Sequence, residues 1–477
     1  MPKEYADTII IGAGASGLGM ARLLEGKKEF LILEGHSLPG GCAGYFSRGK
    51  FHFDVGATTV SGLAHEGPVR KMKELTGFDP DIIKIDPGID IFFQNKKISR
   101  FEDPHLWAQE CQKIESKPLM IFFQQLHELN QICWGLSQES ALFPPKNFND
   151  LKILVGHNFL KKFRLLPLFL QSFESYFNLH QYGEAFRSLV DEILLISTQG
   201  KASQVPAFIG VMGFSYPEDV WYPCGGMKHF FEDLALPFKE NILYRTRVEG
   251  IQKNSEGYLV KTGRGDYRCK TLISTLPVWD TEILLGKISK KKESLRDETW
   301  GALTAYYKIK LSSHGNSLYQ QLHQRLSLSG SASLFLSLSH PDDRLRAPEG
   351  FQTLTVSTHI KYQDYQRAIL EGRKERRHEW EKELEGILKS HFASRLLDLE
   401  LVGFGDPDTF VKFTGRSRGS VGGLPHSLRR NILTYPKSKG PFSGFYQLGD
   451  TTFPGQGIVG VFQGALNLYP RLSTDGE

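Results

Sequence analysis

Three glycines in the spacing G-x-G-x-x-G, Gly12, Gly14 and Gly17, constrain this 477-residue chain more than any other feature. They follow an apolar, strand-like stretch from Thr8 to Ile11 and open a helix-like one, ASGLGMARLLEG. In that context each glycine has its own task. Gly12 allows the tight turn, Gly14 lets a pyrophosphate approach the backbone, and Gly17 lets the helix lie close against its strand. The amides of Ala15 and Ser16 stand at the helix N-terminus, where backbone N–H groups attract phosphate. A second apolar run, EFLILE, ends at Glu34. A carboxylate at that point accepts hydrogen bonds from the hydroxyls of an adenosine ribose, which favours a free 2′-OH over a 2′-phosphate. The fingerprint specifies an α/β nucleotide-binding fold. By itself it does not separate FAD from NAD.

The same strand–glycine–helix pattern returns near the C-terminus, where FYQLGD runs into TTFPGQGIVG and then VFQGALNLYPRL. Between the two corners, the stretch after Glu34 reads GHSLPGGCAGYFSRGKFHFDVGATTVSGL. It resembles the FAD-binding region shared by phytoene desaturases, carotenoid isomerases and related flavin-dependent amine oxidases. YPCGGMKHFFEDLA, NILYRTRVEGIQKNSEGYLVKT, CKTLISTLPVWD and the C-terminal GDTTFPGQG extend the resemblance. The last of these is similar to the carotenoid isomerase and saturase branch. Many relatives carry Arg directly after the Pro39-Gly40-Gly41 turn; this chain has Cys42, also in keeping with that branch.

The resemblance implies a Rossmann-like, glutathione-reductase-like FAD-binding domain with an inserted α+β substrate domain. It implies extended, non-covalent FAD. Gly40, Gly41 and Cys42 would run beside the pyrophosphate, Gly56, Ala57 and Thr58 near the flavin, and the backbone of Val248 at the adenine. Gly449 and Asp450 would reach the ribityl or pyrophosphate region. Gly455 and Gly457 would allow close backbone approach, and the helix from Ile458 would aim its positive end at the flavin ring. The matches are discontinuous. They place the FAD domain in residues 1–89, 220–280 and 436–477, and the substrate domain in 90–219 and 281–435, a division that suits a chain longer than one core usually supports.

Within the first insertion, Lys161, Lys162 and Arg164 stand beside Leu165, Leu166, Leu168, Phe169 and Leu170. This fits either a buried helix with a charged edge or an interfacial helix giving peripheral membrane association. No apolar stretch reaches the roughly 18 residues that span a bilayer. In the second insertion, the charges from Arg373 to Glu385 alternate in sign and read as a solvated helix face. The loop FTGRSRGSVGGLPHS resembles one near the substrate entrance of the carotenoid isomerase branch, so Arg416, Arg418 and His426 are candidates to touch substrate or flavin. Asp54, Arg416 and His426 are the weak candidates for acid–base chemistry.

A net charge of +5 is too small to argue for nucleic acid. Five cysteines without C-x-x-C spacing argue against a disulfide framework and for a reducing compartment. Only seven residues precede the first strand, with no apolar core among them, so no export signal and a cytoplasmic location are expected. No zinc-ligand cluster is present, which removes a metal anchor. The 33 phenylalanines suit a broad apolar cavity as well as a core. The expected substrate is a hydrophobic polyene or isoprenoid, isomerised, desaturated or saturated against the flavin, with quinone or oxygen as acceptor where electrons leave. Three alternatives share the frame: an amine oxidase, a flavoprotein acting on another lipid, and a non-catalytic flavin-binding or assembly protein.

Overall fold

All four residues of the strand Thr8–Ile11 are buried, the pattern of a strand covered on both faces of a parallel sheet. The computed structural model describes residues 4–64, 67–139, 165–215, 219–286, 290–313, 315, 317–327, 330–430 and 434–474. In it, this strand is the centre of a five-stranded parallel sheet ordered 445–447, 271–274, 8–11, 30–33, 242–243. The two-residue period sorts the isoleucines. Ile10, Ile32 and Ile273 face a layer of helices that includes Leu18, Phe230 and Phe462. Ile9, Ile11 and Leu33 face a three-stranded antiparallel sheet, 248–253, 258–262 and 265–269, through Val248, Ile251 and Val260. The helices that follow the two glycine corners, Ala15–Leu24 and Gly457–Thr474, pack on one another. Residues from opposite ends of the chain therefore build one Rossmann-like domain.

A seven-stranded mixed sheet, ordered 396–405, 300–311, 352–361, 334–338, 319–322, 89–93, 96–100, carries the second domain. Ile89 already pairs with Arg100 in this sheet, so the first domain boundary falls before residue 89 and not after it. One face of the sheet, through Leu303, Ala305, Tyr307, Leu336 and Val356, is covered by helices Tyr362–Leu370 and Arg373–His391. The charged stretch Arg373–Glu385 lies on the second of these helices, which starts just after Gly372 at φ +119. Its charges are surface pairs such as Arg377–Glu381 at 2.8 Å, while Trp380, Leu384 and Leu388 turn inward.

The phenylalanines of the first insertion largely fill a core. The Phe122 ring meets Phe123, Phe173, Phe177, Phe186 and Phe214 at centroid separations of 5.0 to 6.4 Å, mostly edge to face. Such pairs each add about 0.5–1.5 kcal/mol beyond area burial. This cluster joins helices Met120–Glu139, Glu184–Thr198 and Ala207–Phe214. Lys161, Lys162 and Arg164, expected either in a buried helix with a charged edge or in an interfacial helix, lie outside the described residues. The apolar part of that stretch forms the short helix Leu166–Leu170, with Leu168 buried and Leu170 62% exposed. Among the described residues, no helix is long and apolar enough to cross a membrane.

Candidate cofactor and substrate site

One cavity of about 1180 Å³ runs from Glu34 to the helices of the second domain. Gly12, Gly14, Ala15, Ser16, Gly40, Gly41 and Cys42 line one end of it, with Gly56, Ala57 and Thr58 further along. Val248, Gly449, Asp450, Gly457 and Ile458 also border it. Gly17 and Gly455 do not border the cavity and act by packing instead. A Cβ on Gly17 would lie 2.0 Å from the Gly12 carbonyl oxygen, so helix and strand approach closely only through glycine. Gly455, at φ +118, would place a Cβ 2.7 Å from His426 Nε2.

At the first corner, the Gly40 N–H donates to the Ala13 carbonyl at 2.9 Å, and Gly14 bridges Gly40 in parallel. Two glycine turns are thus stitched side by side with no side chain between them, a backbone-lined slot that fits a diphosphate at a helix N-terminus. Glu34 closes the slot. Its Oε2 accepts from the Ala13 N–H and its Oε1 from the His36 N–H, both at 2.6 Å. Each carboxylate oxygen retains a lone-pair direction for a ribose hydroxyl.

The second corner differs from the sequence expectation in one respect. Asp450 does not present a free carboxylate to the cavity: Arg416 Nη1 and Nη2 grip its two oxygens at 2.8 and 3.0 Å. Asp450, expected to reach the ribityl or pyrophosphate region, borders the cavity together with the Arg416 guanidinium that it anchors. Arg416 also sits beside Cys42. Burial pushes the Cys42 thiol pKa up, with Arg416 opposing, so the thiol is neutral at pH 7. No other cation stands in the turns Gly12–Gly17 and Pro39–Gly44 themselves. Arg416, carried by the loop 416–426, is a cation beside the Pro39–Gly44 turn.

Two other candidates are corrected. Asp54 does not line the cavity; its Oδ2 pairs with Arg346 Nη1 at 2.8 Å and its Oδ1 accepts from the Met227 N–H at 2.8 Å. It is a buried tie between chain segments, not an acid or base facing substrate. Arg418 pairs with Asp297 and covers the Tyr362 ring. His426 does border the cavity, stacked on Tyr435 at 4.9 Å. Burial, reinforced by Arg430, lowers its pKa to about 4.

That shift makes a prediction with a definite sign. Unfolded, the imidazole takes up a proton near pH 6.5; folded, it resists until about pH 4, so stability falls as pH drops from 6.5 toward 4. The expected contribution is about 1.4 kcal/mol per pH unit in that window. Urea midpoints of wild type and His426→Gln at pH 7.5, 6 and 5 test it. Parallel pH dependences for the two proteins would rule it out.

Several groups at the far end had no sequence label. Asp219 accepts from the N–H groups of Leu63 and Ala64 at 3.0 and 3.1 Å and from the Trp221 indole at 2.6 Å, holding the turn that follows Thr58. Gln199, at φ +60, donates from Nε2 to the Val421 carbonyl at 2.7 Å. His359 projects from the sheet, and burial, then Lys361, lowers its pKa to about 4. The alternation in TVSTHI was the available signal for His359; nothing local pointed to Gln199. Ile193, Ile196, Phe208, Ile209 and Met212 complete this end with an apolar wall. Among the described residues, no group of three His, Cys, Asp or Glu side chains is placed to hold a metal ion.

Known proteins place this arrangement. The chain is 26% identical to prolycopene isomerase 1 of an Oncidium hybrid cultivar, covering 99% of this chain and 84% of that protein. It is 24% identical to the prolycopene isomerase of Arabidopsis thaliana, covering 99% and 83%. Both relatives are described as chloroplastic. Among solved structures, an oxidoreductase from Methanosarcina mazei superposes with a TM-score of 0.63 at 16% identity, covering 97% of this chain and 99% of that one. A putrescine oxidase bound to putrescine gives 0.62 at 14% over 99% and 98%, and a fatty acid isomerase from P. acnes 0.60 at 13% over 99% of each. The model of the flavin-containing amine oxidoreductases matches residues 15–462. With a dinucleotide slot at one end of its cavity and that match along nearly its whole length, the chain is a flavin-dependent enzyme and belongs to the flavin-containing amine oxidoreductase family.

Proposed function

We propose that this enzyme binds FAD non-covalently and acts on a hydrophobic isoprenoid polyene, converting cis double bonds to trans without net oxidation. The observation that carries the reading is the single cavity joining the Glu34 slot to the wall of Ile193, Ile196, Phe208, Ile209 and Met212, which brings a long apolar chain against a dinucleotide's far end. The relatives named prolycopene isomerase, similar along 99% of the chain, support the polyene and the isomerisation. We assign the nucleotide to Gly12, Gly14, Ala15, Ser16, Glu34, Gly40, Gly41 and Val248, with Arg416 at the diphosphate. Gly56 to Thr58 and the helix N-terminus at Gly457 and Ile458 then flank the ring. The flavin, when bound, supplies reversible electron transfer to and from a conjugated chain.

The protein's own work is positional. Backbone N–H groups at the start of helix Gly457–Thr474 stabilise negative charge near the ring. The Thr58 hydroxyl, bonded to Ser337 at 2.7 Å, and its carbonyl, accepting from Tyr319 at 2.9 Å, hold the flavin-side segment to the substrate sheet. The apolar wall excludes water from the reacting chain. We further propose a cytoplasmic protein that meets its substrate at a membrane surface.

The test is an electron count. Anaerobic, pre-reduced enzyme is expected to convert a poly-cis polyene to more trans isomers over many turnovers, with the flavin spectrum unchanged. A saturase oxidises one flavin per double bond reduced. Turnover only by oxidised enzyme, with a two-electron acceptor consumed in step with product, makes it a desaturase.

A further inference from the structure

The nucleotide end of the cavity carries side chains that its glycine turns do not account for. Arg247 is exposed and borders the cavity, immediately before Val248. The backbone around it runs beside the ribose acid: the Thr246 N–H donates to the Glu34 carbonyl at 2.7 Å and the Arg245 N–H to the His36 carbonyl at 2.9 Å. Its side chain then crosses to the second domain. A Cβ on Gly35 would lie 3.6 Å from Arg247 Nε, and a Cβ on Gly415 only 2.3 Å from Arg247 Nη1. Gly415, at φ +71, ends the helix Pro407–Thr414 and precedes Arg416. The arginine therefore spans from the turn after Glu34 to the helix end that carries Arg416.

Other cations bordering the cavity are engaged, Arg416 with Asp450, Arg100 with the Phe214 carbonyl and the Trp107 ring, and Arg48 over Phe46. Among the described residues, none takes a hydrogen bond or an ion pair from Arg247. An exposed arginine without a partner ordinarily extends into water; this one lies against Gly415, where any side chain would displace it. Phe413, on the same helix, reaches the same mouth. It borders the cavity yet is 51% exposed, its ring edge to face with His36 at 6.1 Å. On the Val248 side, Leu276 and Leu284 pack beside Val248 and also border the cavity. A guanidinium and an aromatic ring on one side and two leucines on the other suit a flat, apolar-faced heterocycle.

We propose that Arg247 and Phe413 clamp the adenine of the cofactor, holding it between themselves and the side chains of Leu276 and Leu284. This rests on the FAD reading above and adds two residues that belong to neither glycine corner. It also gives the helix Pro407–Thr414, which follows a strand of the seven-stranded sheet, a part in nucleotide binding, so that the cofactor is gripped from both domains. A guanidinium stacked on a purine needs no carboxylate partner, because the ring face itself attracts the cation. Lysine is a poor substitute there, since its ammonium is a point charge without a plane to stack.

The test titrates the full chain, freed of flavin, with FAD, with ADP, which lacks the flavin, and with FMN, which lacks the adenosine. Arg247→Leu is expected to weaken FAD and ADP by about tenfold each, the scale of a desolvated cation–π contact, and to leave FMN binding and the melting temperature unchanged. Arg247→Lys is expected to stay within about threefold of Arg247→Leu, because charge without a plane does not restore the stack. If Arg247→Leu does not fold, Phe413→Ser is read instead, with FAD and ADP each expected to weaken at least about threefold. Four results overturn this inference and leave the FAD reading standing: FAD affinity unaltered in the variant read, an FMN loss equal to the FAD loss, full recovery in Arg247→Lys, or no ADP binding by a wild type that binds FAD. A wild type that binds no FAD overturns both.

Discussion

Replacing Arg346 with alanine is expected to destabilise the protein by about 3–5 kcal/mol, because it strands the carboxylate of Asp54 in the interior. Arg346 and Asp54 are 3% and 2% exposed and 2.8 Å apart. Their neighbourhood joins three stretches of chain. Asp54 reaches the start of helix Gly226–Ala235 through the Met227 N–H. Its carbonyl accepts from Thr355 at 3.1 Å, and the Arg346 carbonyl accepts from the His52 N–H at 3.0 Å. Losing one charge therefore costs more than a contact, whereas removing both is cheaper. The double variant Asp54→Asn, Arg346→Met keeps an acceptor for Met227 and is expected to recover at least half of the loss. Urea melts decide it. A single variant within about 1 kcal/mol of wild type would mean that the carboxylate finds water or a proton and that the pair is not a tie.

The glycine corner offers a sharper contrast, since two of its residues are fixed for different reasons. Gly14 has ordinary extended backbone angles, φ −74 and ψ 177, and a Cβ there would come no closer than 3.9 Å to any neighbour, at Gly41 Cα. Gly14→Ala is expected to fold with unchanged thermal stability as the apoprotein. Its methyl group would stand in the diphosphate slot, and FAD binding is expected to weaken by about thirtyfold or more, or about 2 kcal/mol. Gly17→Ala must push helix from strand to clear the Gly12 carbonyl, so apoprotein stability and flavin retention are expected to fall together. Thermal melts of apoprotein and flavin titrations, run on both variants, separate the two effects. Unchanged flavin affinity in Gly14→Ala would place the diphosphate elsewhere.

Much of this architecture was legible in the chain because its signals are local. A strand, three glycines, a helix and an acid lie within some thirty residues, and each constrains backbone that its own neighbours build. Both corners, the helix beginning after Pro223–Gly225 and the strand Thr271–Ser274 could be read for that reason. The charged helix was legible as a solvated face from the alternating signs between Arg373 and Glu385.

What the sequence by itself determined is the dinucleotide fold, its discontinuity, and the backbone groups that line the slot. Partnership between distant side chains was decided only by the tertiary structure. Asp54 and His426 are equally plausible acids or bases as letters, and placement distinguishes them: one is consumed by Arg346, the other faces the cavity. Arg416 is an isolated cation until the fold sets it between Asp450 and Cys42. Gln199 carried no signal at all, for its unmatched oxygen exists only because Val421, 222 residues away, takes its amide hydrogen. Local spacing specifies backbone conformation, whereas the charge and hydrogen-bond state of a buried side chain depends on groups that only the closed fold brings within reach.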